Sequence, residues 1–341
     1  MIHADFEPEQ GSIYLTDLSP RDAKWKELKP QNLLVANDYV GTVYDKYYDK
    51  MTDCSGYLRF DLVPNEQGEI VHKLRQGNFC RVRACPICQW RRSLMWRSRT
   101  IQAMTRILAD YPGKRFIYLT LTWKNCELEH LSDSIAHASA AWHRLLKRPQ
   151  FKAIGWLRNL EITRSSIGEA HPHFHALLMV NPSYFSHGYV SQKDWVELWR
   201  SCLRVEVPPS VRVNVVKPRN KTTTDTSESL PGIDEGLLKA IRYTLKYSTK
   251  PDDYLNTDTS ECQEMQDWLI GLTKQLHNKR AIATGGIFKK YLSESEPVSL
   301  IKDDFSTDTS EKQQSCSRFQ YVWTPETFDY VFDRPVEVIV A

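Results

Sequence analysis

The sequence predicts an α+β fold preceded by a small zinc-binding element. Three observations predict it. Two apolar-rich runs, 154–164 and 171–180, are joined by the short polar link 165–170, which is a hairpin pattern. Segments with helical periodicity (132–147, 191–203 and 237–250) stand between β-prone runs. Cys80, Cys85 and Cys88 cluster within nine residues, with Cys54 upstream, a spacing suited to one tetrahedral ion.

At 341 residues the chain is long enough for two domains or for one with appendages. No apolar run approaches a membrane span and no N-terminal stretch reads as a signal peptide, so a cytoplasmic location is expected, with no membrane partner. The net charge of +3 is small, but residues 71–109 hold nine Lys or Arg and no acid. A one-sign block of this kind suits a polyanion, and ten Trp and sixteen Tyr offer faces for stacking bases. In a cytosolic chain the eight Cys are better read as metal ligands and core thiols than as a disulfide framework.

Residues 1–50 show no clear periodicity and read as a leader. Residues 51–110 read as the zinc-binding element and a basic helix, with Zn²⁺ on Cys54, Cys80, Cys85 and Cys88. The absence of acids assigns phosphate contacts to Arg81, Arg83, Arg91, Arg92, Arg97 and Arg99. Residues 116–122 read as a strand. The helix at 132–147 has Ser132 as its cap and turns Trp142, Leu145 and Leu146 inward.

The hairpin carries the chemistry. Alternate strand residues share a face, so His173 and His175 project together while Phe174 turns into the core. His171 has the same parity, but Pro172 cannot donate to a ladder, so the regular strand is expected to start after it. The opposite strand sets Glu161 across from the two imidazoles, with Glu169 nearer the turn as a reserve ligand. A carboxylate beside two imidazoles leaves coordination positions open for water and substrate.

Downstream, a helix at 191–203 and a strand at 211–216 precede a polar stretch, 217–236. The pentapeptide Thr-Asp-Thr-Ser-Glu occurs at 224–228, 257–261 and 307–311, in polar connectors that read as surface insertions. On a helix over 237–250, Tyr243 and Tyr247 lie on one face and Lys246 and Lys250 on the neighbouring line. A helix near 262–278, a glycine pair at 285–286 permitting close backbone approach, a linker and two C-terminal strands complete the chain. No P-loop motif occurs, so no nucleotide cofactor is expected.

Taken together, the Cys80–Arg92 stretch, the Phe116–Thr122 strand, His173-Phe174-His175 and Lys246-Tyr247-Ser248-Thr249-Lys250 resemble the plasmid rolling-circle replication initiators of the HUH endonuclease superfamily. The branch is the one with a cysteine-rich element ahead of the nuclease core, and the resemblance covers roughly residues 54–290. It implies a core over 111–295, with a central antiparallel sheet flanked by helices, and a linker with C-terminal strands over 296–341. It maps the family's metal-binding pair onto His173 and His175 and its nucleophile onto Tyr247. Many single-tyrosine initiators carry a glutamate four residues before the nucleophile; here Tyr243 stands there, as in two-tyrosine initiators of phage type.

The activity so implied is metal-dependent nicking and joining of origin DNA through a 5′-phosphotyrosine. Lys246 and Lys250 assist at the phosphate, and Tyr243 is a candidate second nucleophile. The implied cofactors are Mn²⁺ or Mg²⁺ at the histidines and structural Zn²⁺ at the cysteines. The implied partners are single-stranded or hairpin origin DNA, with host helicase and polymerase in trans. The rival expectations are an HUH transposase, a phosphoesterase using water, and a non-catalytic zinc-dependent DNA-binding regulator.

Overall fold

A computed structural model describes residues 12–64, 68–218, 233–246, 262–294 and 317–336. Along the chain come α1 (Leu15–Leu18), α2 (Ala23–Asn37), α3 (Lys46–Thr52), β1 (Tyr57–Pro64), β2 (Ile70–Gly77), α4 (Pro86–Asp110) and β3 (Arg115–Thr122). Then follow α5 (Leu131–Leu146), β4 (Ala153–Arg164), β5 (Ala170–Val180), α6 (Tyr184–His187), α7 (Gln192–Leu203) and β6 (Val211–Val215). The remaining elements are α8 (Glu235–Thr244), α9 (Cys262–Gln275), β7 (Ile282–Gly286), α10 (Ile287–Ser293), β8 (Arg318–Thr324) and β9 (Asp329–Val336). The fold is α+β, with antiparallel sheets flanked by helices. No helix among the described residues is long and apolar enough to cross a membrane.

The described residues within 1–95, 254–266 and 298–341 make one compact unit, and those within 96–253 and 267–297 another. The first unit is built on a four-stranded sheet of order β2-β1-β8-β9. Its core holds Leu58, Phe60, Leu74, Tyr321 and Tyr330, together with one face of α2. That helix shows why the first fifty residues carried no legible period. Its buried positions are Trp25, Leu28, Lys29, Asn32, Val35 and Ala36, a helical spacing in which two members are polar. Both donate to carbonyls inside: Lys29 Nζ to those of Thr52 and Cys54, and Asn32 Nδ2 to that of Met51.

The second unit is built on an antiparallel five-stranded sheet of order β6-β3-β5-β4-β7. On one face Phe174 packs among Trp123, Trp142 and Trp199 from β3's end, α5 and α7. The Arg158 guanidinium lies 3.9 Å over the Phe174 ring on that face. The glycine pair behaves as its type requires. A Cβ at Gly285 would meet the Trp156 indole at 2.2 Å, and Gly286 has φ +56° with a virtual Cβ 2.2 Å from Ile154 O. Only side-chain-free backbone lets β7 close on β4 there.

Three boundaries differ from the sequence expectation. β5 includes Pro172; the ladder with β3 stops at His173, so the proline sits where the strand has β4 alone beside it. α5 begins at Leu131, and Ser132 is not its cap: Gln275 Oε1 of α9 takes the Ser132 N–H instead. Leu146 is half-buried, whereas Trp142 and Leu145 are fully inside. α8 ends at Thr244, not at residue 250. Asp234 caps its start, and beyond its end the Lys246 carbonyl accepts from Asn159 Nδ2 of β4. The three Thr-Asp-Thr-Ser-Glu copies lie outside the described residues.

Candidate active site

The hairpin of β4 and β5 sets Glu161 directly opposite His173. With period-two alternation, His175 joins them on the same face, and all three are buried. Glu161 Oε2 lies 3.0 Å from His173 Nε2 and 2.5 Å from His175 Nε2. Glu169 stays in the hairpin turn, where its N–H donates to Ser165 Oγ.

Partners behind the imidazoles fix which nitrogen faces Glu161. His173 Nδ1 lies 3.3 Å from the His171 carbonyl, which leaves Nε2 facing Glu161. His175 Nδ1 shares a hydrogen bond with the Tyr118 hydroxyl, and Thr120 Oγ1 is 3.4 Å away. Both imidazoles thus present Nε2 to one carboxylate oxygen, a donor set that a divalent cation would take.

The spacing fits as well. Ligands about 2.1 Å from one ion and at right angles stand about 3 Å apart, as His173 Nε2 and Glu161 Oε2 do. Two imidazoles and a carboxylate suit a divalent ion with open positions. Burial works against the Glu161 carboxylate, but hydrogen bonds from His173, His175 and Lys246 outweigh it and hold the group well below the usual carboxylate range. Burial also lowers His175, which favours the neutral, metal-binding form.

The chain just past α8 reaches this cluster. Lys246 Nζ is 2.8 Å from Glu161 Oε2 and 4.6 Å from the centre of the Tyr243 ring. That ring is half exposed and meets His175 edge-on at 5.2 Å and Tyr118 at 5.0 Å. The structure thus brings Glu161, His173, His175, Lys246 and Tyr243 together. Tyr247 and Lys250 lie outside the described residues. Two members were missed by sequence reasoning, Tyr118 and Thr120. Their signal was a polar side chain at every second position of the strand, at Tyr118, Thr120 and Thr122.

In the other unit, the four cysteines converge. Cys54 Sγ is 3.7 Å from the sulfurs of Cys85 and Cys88, and Cys80 Sγ is 3.6 Å from Cys88. Four thiolates about 2.3 Å from one zinc ion are about 3.8 Å apart at the edges of a tetrahedron, so the set fits the ion. Cys54, thirty-one residues from Cys85, is delivered by the turn after α3. The backbone N–H of Arg81 donates to Cys88 Sγ, and the neighbouring sulfurs drive the Cys88 thiol pKa far down. The buried Lys29 ammonium, held on the Cys54 carbonyl, adds a positive charge beside the thiolates that the sequence did not reveal.

The six arginines assigned to phosphate divide. Arg81 and Arg92 are exposed, and Arg83 is half-buried. Arg97 and Arg99, also half-buried, donate to the carbonyls of Arg242 and Leu292. Arg91 corrects the expectation. It is 1% exposed, its guanidinium lies 5.4 Å from Trp25 and 5.8 Å from Phe79 and Trp90, and burial pushes its pKa down to about 9. An arginine enclosed by aromatic rings is packing, not a phosphate contact.

Comparisons with known proteins give the family. A profile of the family described as "Replication protein" matches residues 71–331. "Protein rep" of Streptococcus pneumoniae serotype 2 (strain D39) is 30% identical over 319 residues, covering 91% of this chain and 92% of that protein. "Protein rep" of Lentilactobacillus hilgardii is 31% identical over 275 residues, covering 79% and 82%. "Protein rep" of Lactiplantibacillus plantarum is 32% identical over 272 residues, covering 78% and 80%. No solved structure matches the chain. The chain belongs to the replication protein family, that of the plasmid replication initiators its motifs resemble.

Proposed function

We propose that this protein nicks and rejoins one strand of origin DNA to start rolling-circle plasmid replication, as an HUH-type endonuclease. The supporting observation is the convergence of Glu161, His173 and His175 on one sheet face, with Lys246 and the Tyr243 ring against them.

Glu161, His173 and His175 hold Mn²⁺ or Mg²⁺, which when bound supplies a Lewis acid for the scissile phosphate. Tyr247, the residue after Lys246, is the nucleophile. A phenol has a reference pKa near 10 and reacts poorly at neutral pH without help. Lys246 and Lys250 favour its phenolate and hold the phosphate. The Tyr247 oxygen forms a bond to phosphorus and the bond from phosphorus to the 3′ oxygen breaks. The phenol proton leaves to solvent, and the departing 3′ oxygen takes one up. The products are a 5′-phosphotyrosine and a 3′-OH, which primes synthesis. Because the ester conserves the energy of the phosphodiester, rejoining needs no nucleotide cofactor. Tyr243 attacks the regenerated junction at termination. Host helicase and polymerase act in trans, and the cysteine site holds structural Zn²⁺.

The test is incubation with a single-stranded origin oligonucleotide and Mn²⁺, followed by denaturing electrophoresis. A covalent adduct is expected for the wild type, none for Tyr247→Phe, and none for His173→Ala. Cleavage with no adduct supports water as nucleophile, binding with no cleavage supports a regulator, and nicking confined to transposon ends supports a transposase.

A further inference from the structure

Alternate residues of β4 share a face, so Asn159 and Glu161 both stand on the side of the sheet that holds the histidines. Glu161 joins the metal cluster and Asn159 does not. Yet Asn159 is 1% exposed, a buried amide among the apolar strand neighbours Leu157, Leu160 and Ile162. The strand is paired on both sides at this point, with His175 of β5 and Ile282 of β7. The amide is therefore carried by fixed backbone, the kind of support that holds a group in place precisely.

What the amide holds is the chain leaving α8. The regular helix ends at Thr244, Leu245 is buried with its N–H on the Ile241 carbonyl, and Lys246 comes next. Asn159 Nδ2 donates to the Lys246 carbonyl at 3.1 Å, and Lys246 Nζ lies 2.8 Å from Glu161 Oε2. One residue is thus tied twice to positions two apart on a single strand, by its main chain to Asn159 and by its side chain to Glu161. A carbonyl only accepts, so the amide turns its NH2 toward Lys246, and Asn159 Oδ1 is buried with no partner among the described residues. The donor is what fastens β4 to this segment. The ammonium alone is a poorer anchor, being 27% exposed on a flexible four-carbon stem.

We infer that Asn159 is a positioning residue for the proposed cleavage and acts through Lys246: by holding that carbonyl, it keeps the ammonium against Glu161 at the metal cluster. The carbonyl also belongs to the peptide unit that joins Lys246 to Tyr247. A peptide unit is planar, so fixing its oxygen orients the whole unit up to the next Cα. Misplacing a reacting group by about 1 Å can cost about 100-fold in rate. Asn159 itself contacts neither metal nor DNA in this role. The inference rests on the nicking reaction proposed above.

The test is single-turnover adduct formation on the single-stranded origin oligonucleotide at saturating Mn²⁺, for the wild type, Asn159→Ala and Asn159→Leu. Leucine keeps the branched outline of the amide without its donor, and so supplies a packed variant should the alanine one fail to fold. Zinc content and thermal melting identify the folded variants. Each is expected to form the adduct on the order of 100-fold more slowly, with Mn²⁺ affinity by calorimetry and oligonucleotide affinity by anisotropy unchanged. Without DNA, hydrogen exchange of the peptide holding Leu245 and Lys246 is expected to quicken in both. An amide that serves stability alone would instead lose melting temperature and Mn²⁺ affinity along with rate. A folded variant that keeps the wild-type rate, or whose loss of rate is matched by loss of Mn²⁺ affinity, overturns the inference and leaves nicking standing. A wild type that forms no adduct overturns the nicking reaction, and this inference with it.

Discussion

Glu161 of β4 and His173 of β5 face each other across one rung of the hairpin, with Oε2 and Nε2 3.0 Å apart. A register slip of one residue would send one of them to the aromatic face. Eleven paired positions along β4 and β5 and the packing of Phe174 among tryptophans oppose such a slip. The apolar side of the hairpin thereby positions the polar side.

Glu161→Gln keeps the shape but removes the charge. Mn²⁺ affinity measured by isothermal titration calorimetry is expected to fall at least about tenfold, with adduct formation falling in step. Unaltered affinity would remove Glu161 from the ligand set.

Tyr118→Phe leaves every ligand in place but frees His175 Nδ1 from its hydroxyl partner. Loss of such an outer partner typically weakens a metal site about 10- to 100-fold. Calorimetry should read that loss for Mn²⁺, while thermal melting without added metal changes little.

Arg91 and Arg92, adjacent in sequence, are expected to separate completely. Arg91→Ala removes a guanidinium enclosed by Trp25, Phe79 and Trp90 and is expected to cost about 2 kcal/mol or more in urea denaturation. Arg92→Ala, at an exposed position, is expected to leave stability within about 0.5 kcal/mol. It should make the salt dependence of duplex binding shallower by about 0.9.

Cys54→Ser tests the four-sulfur site through its most distant member. Zinc measured by elemental analysis is expected to fall well below that of the wild type. Tryptophan emission should shift to the red as Trp25 and Trp90, whose rings lie 4.8 Å apart, become hydrated.

Asp61 gives the stability of its sheet a defined pH dependence. Burial works against its carboxylate, but the hydrogen bonds and charges of Arg318 and Arg75 outweigh it, so its pKa is lowered from the ordinary 3.8. The unfolded chain then binds the proton more readily than the native one. The contribution is full above the ordinary value and is lost as pH falls through the lowered one. Asp61→Asn is expected to cost about 3 kcal/mol at pH 7, at the low end for a broken buried pair because the arginines are 35% and 26% exposed. It should also flatten the acid limb of the stability profile below pH 4.

What was legible in the sequence is what short-range periodicity encodes. The common face of His173 and His175, and Glu161 opposite them, follow from a two-residue repeat and a six-residue link. The convergence of Cys80, Cys85 and Cys88 follows from a turn. The helix over 237–250 was half right: intrahelical spacing proposed its course to residue 250, but the regular helix ends at Thr244, and Asn159, some eighty residues earlier, takes the Lys246 carbonyl.

Tertiary structure decided the rest. β1 pairs with β8 across some 260 residues, joining strands that no local pattern connects. α2 hid its buried face because Lys29 and Asn32 belong to it, both donating to carbonyls near residue 52. Arg91 and Arg92 read alike in a basic run, yet aromatic rings from Trp25 and Phe79 enclose only the first. Local spacing settles which face a side chain takes, while what covers that face depends on chain that arrives from far away, and burial changes a charged group's role more than its neighbours in sequence do.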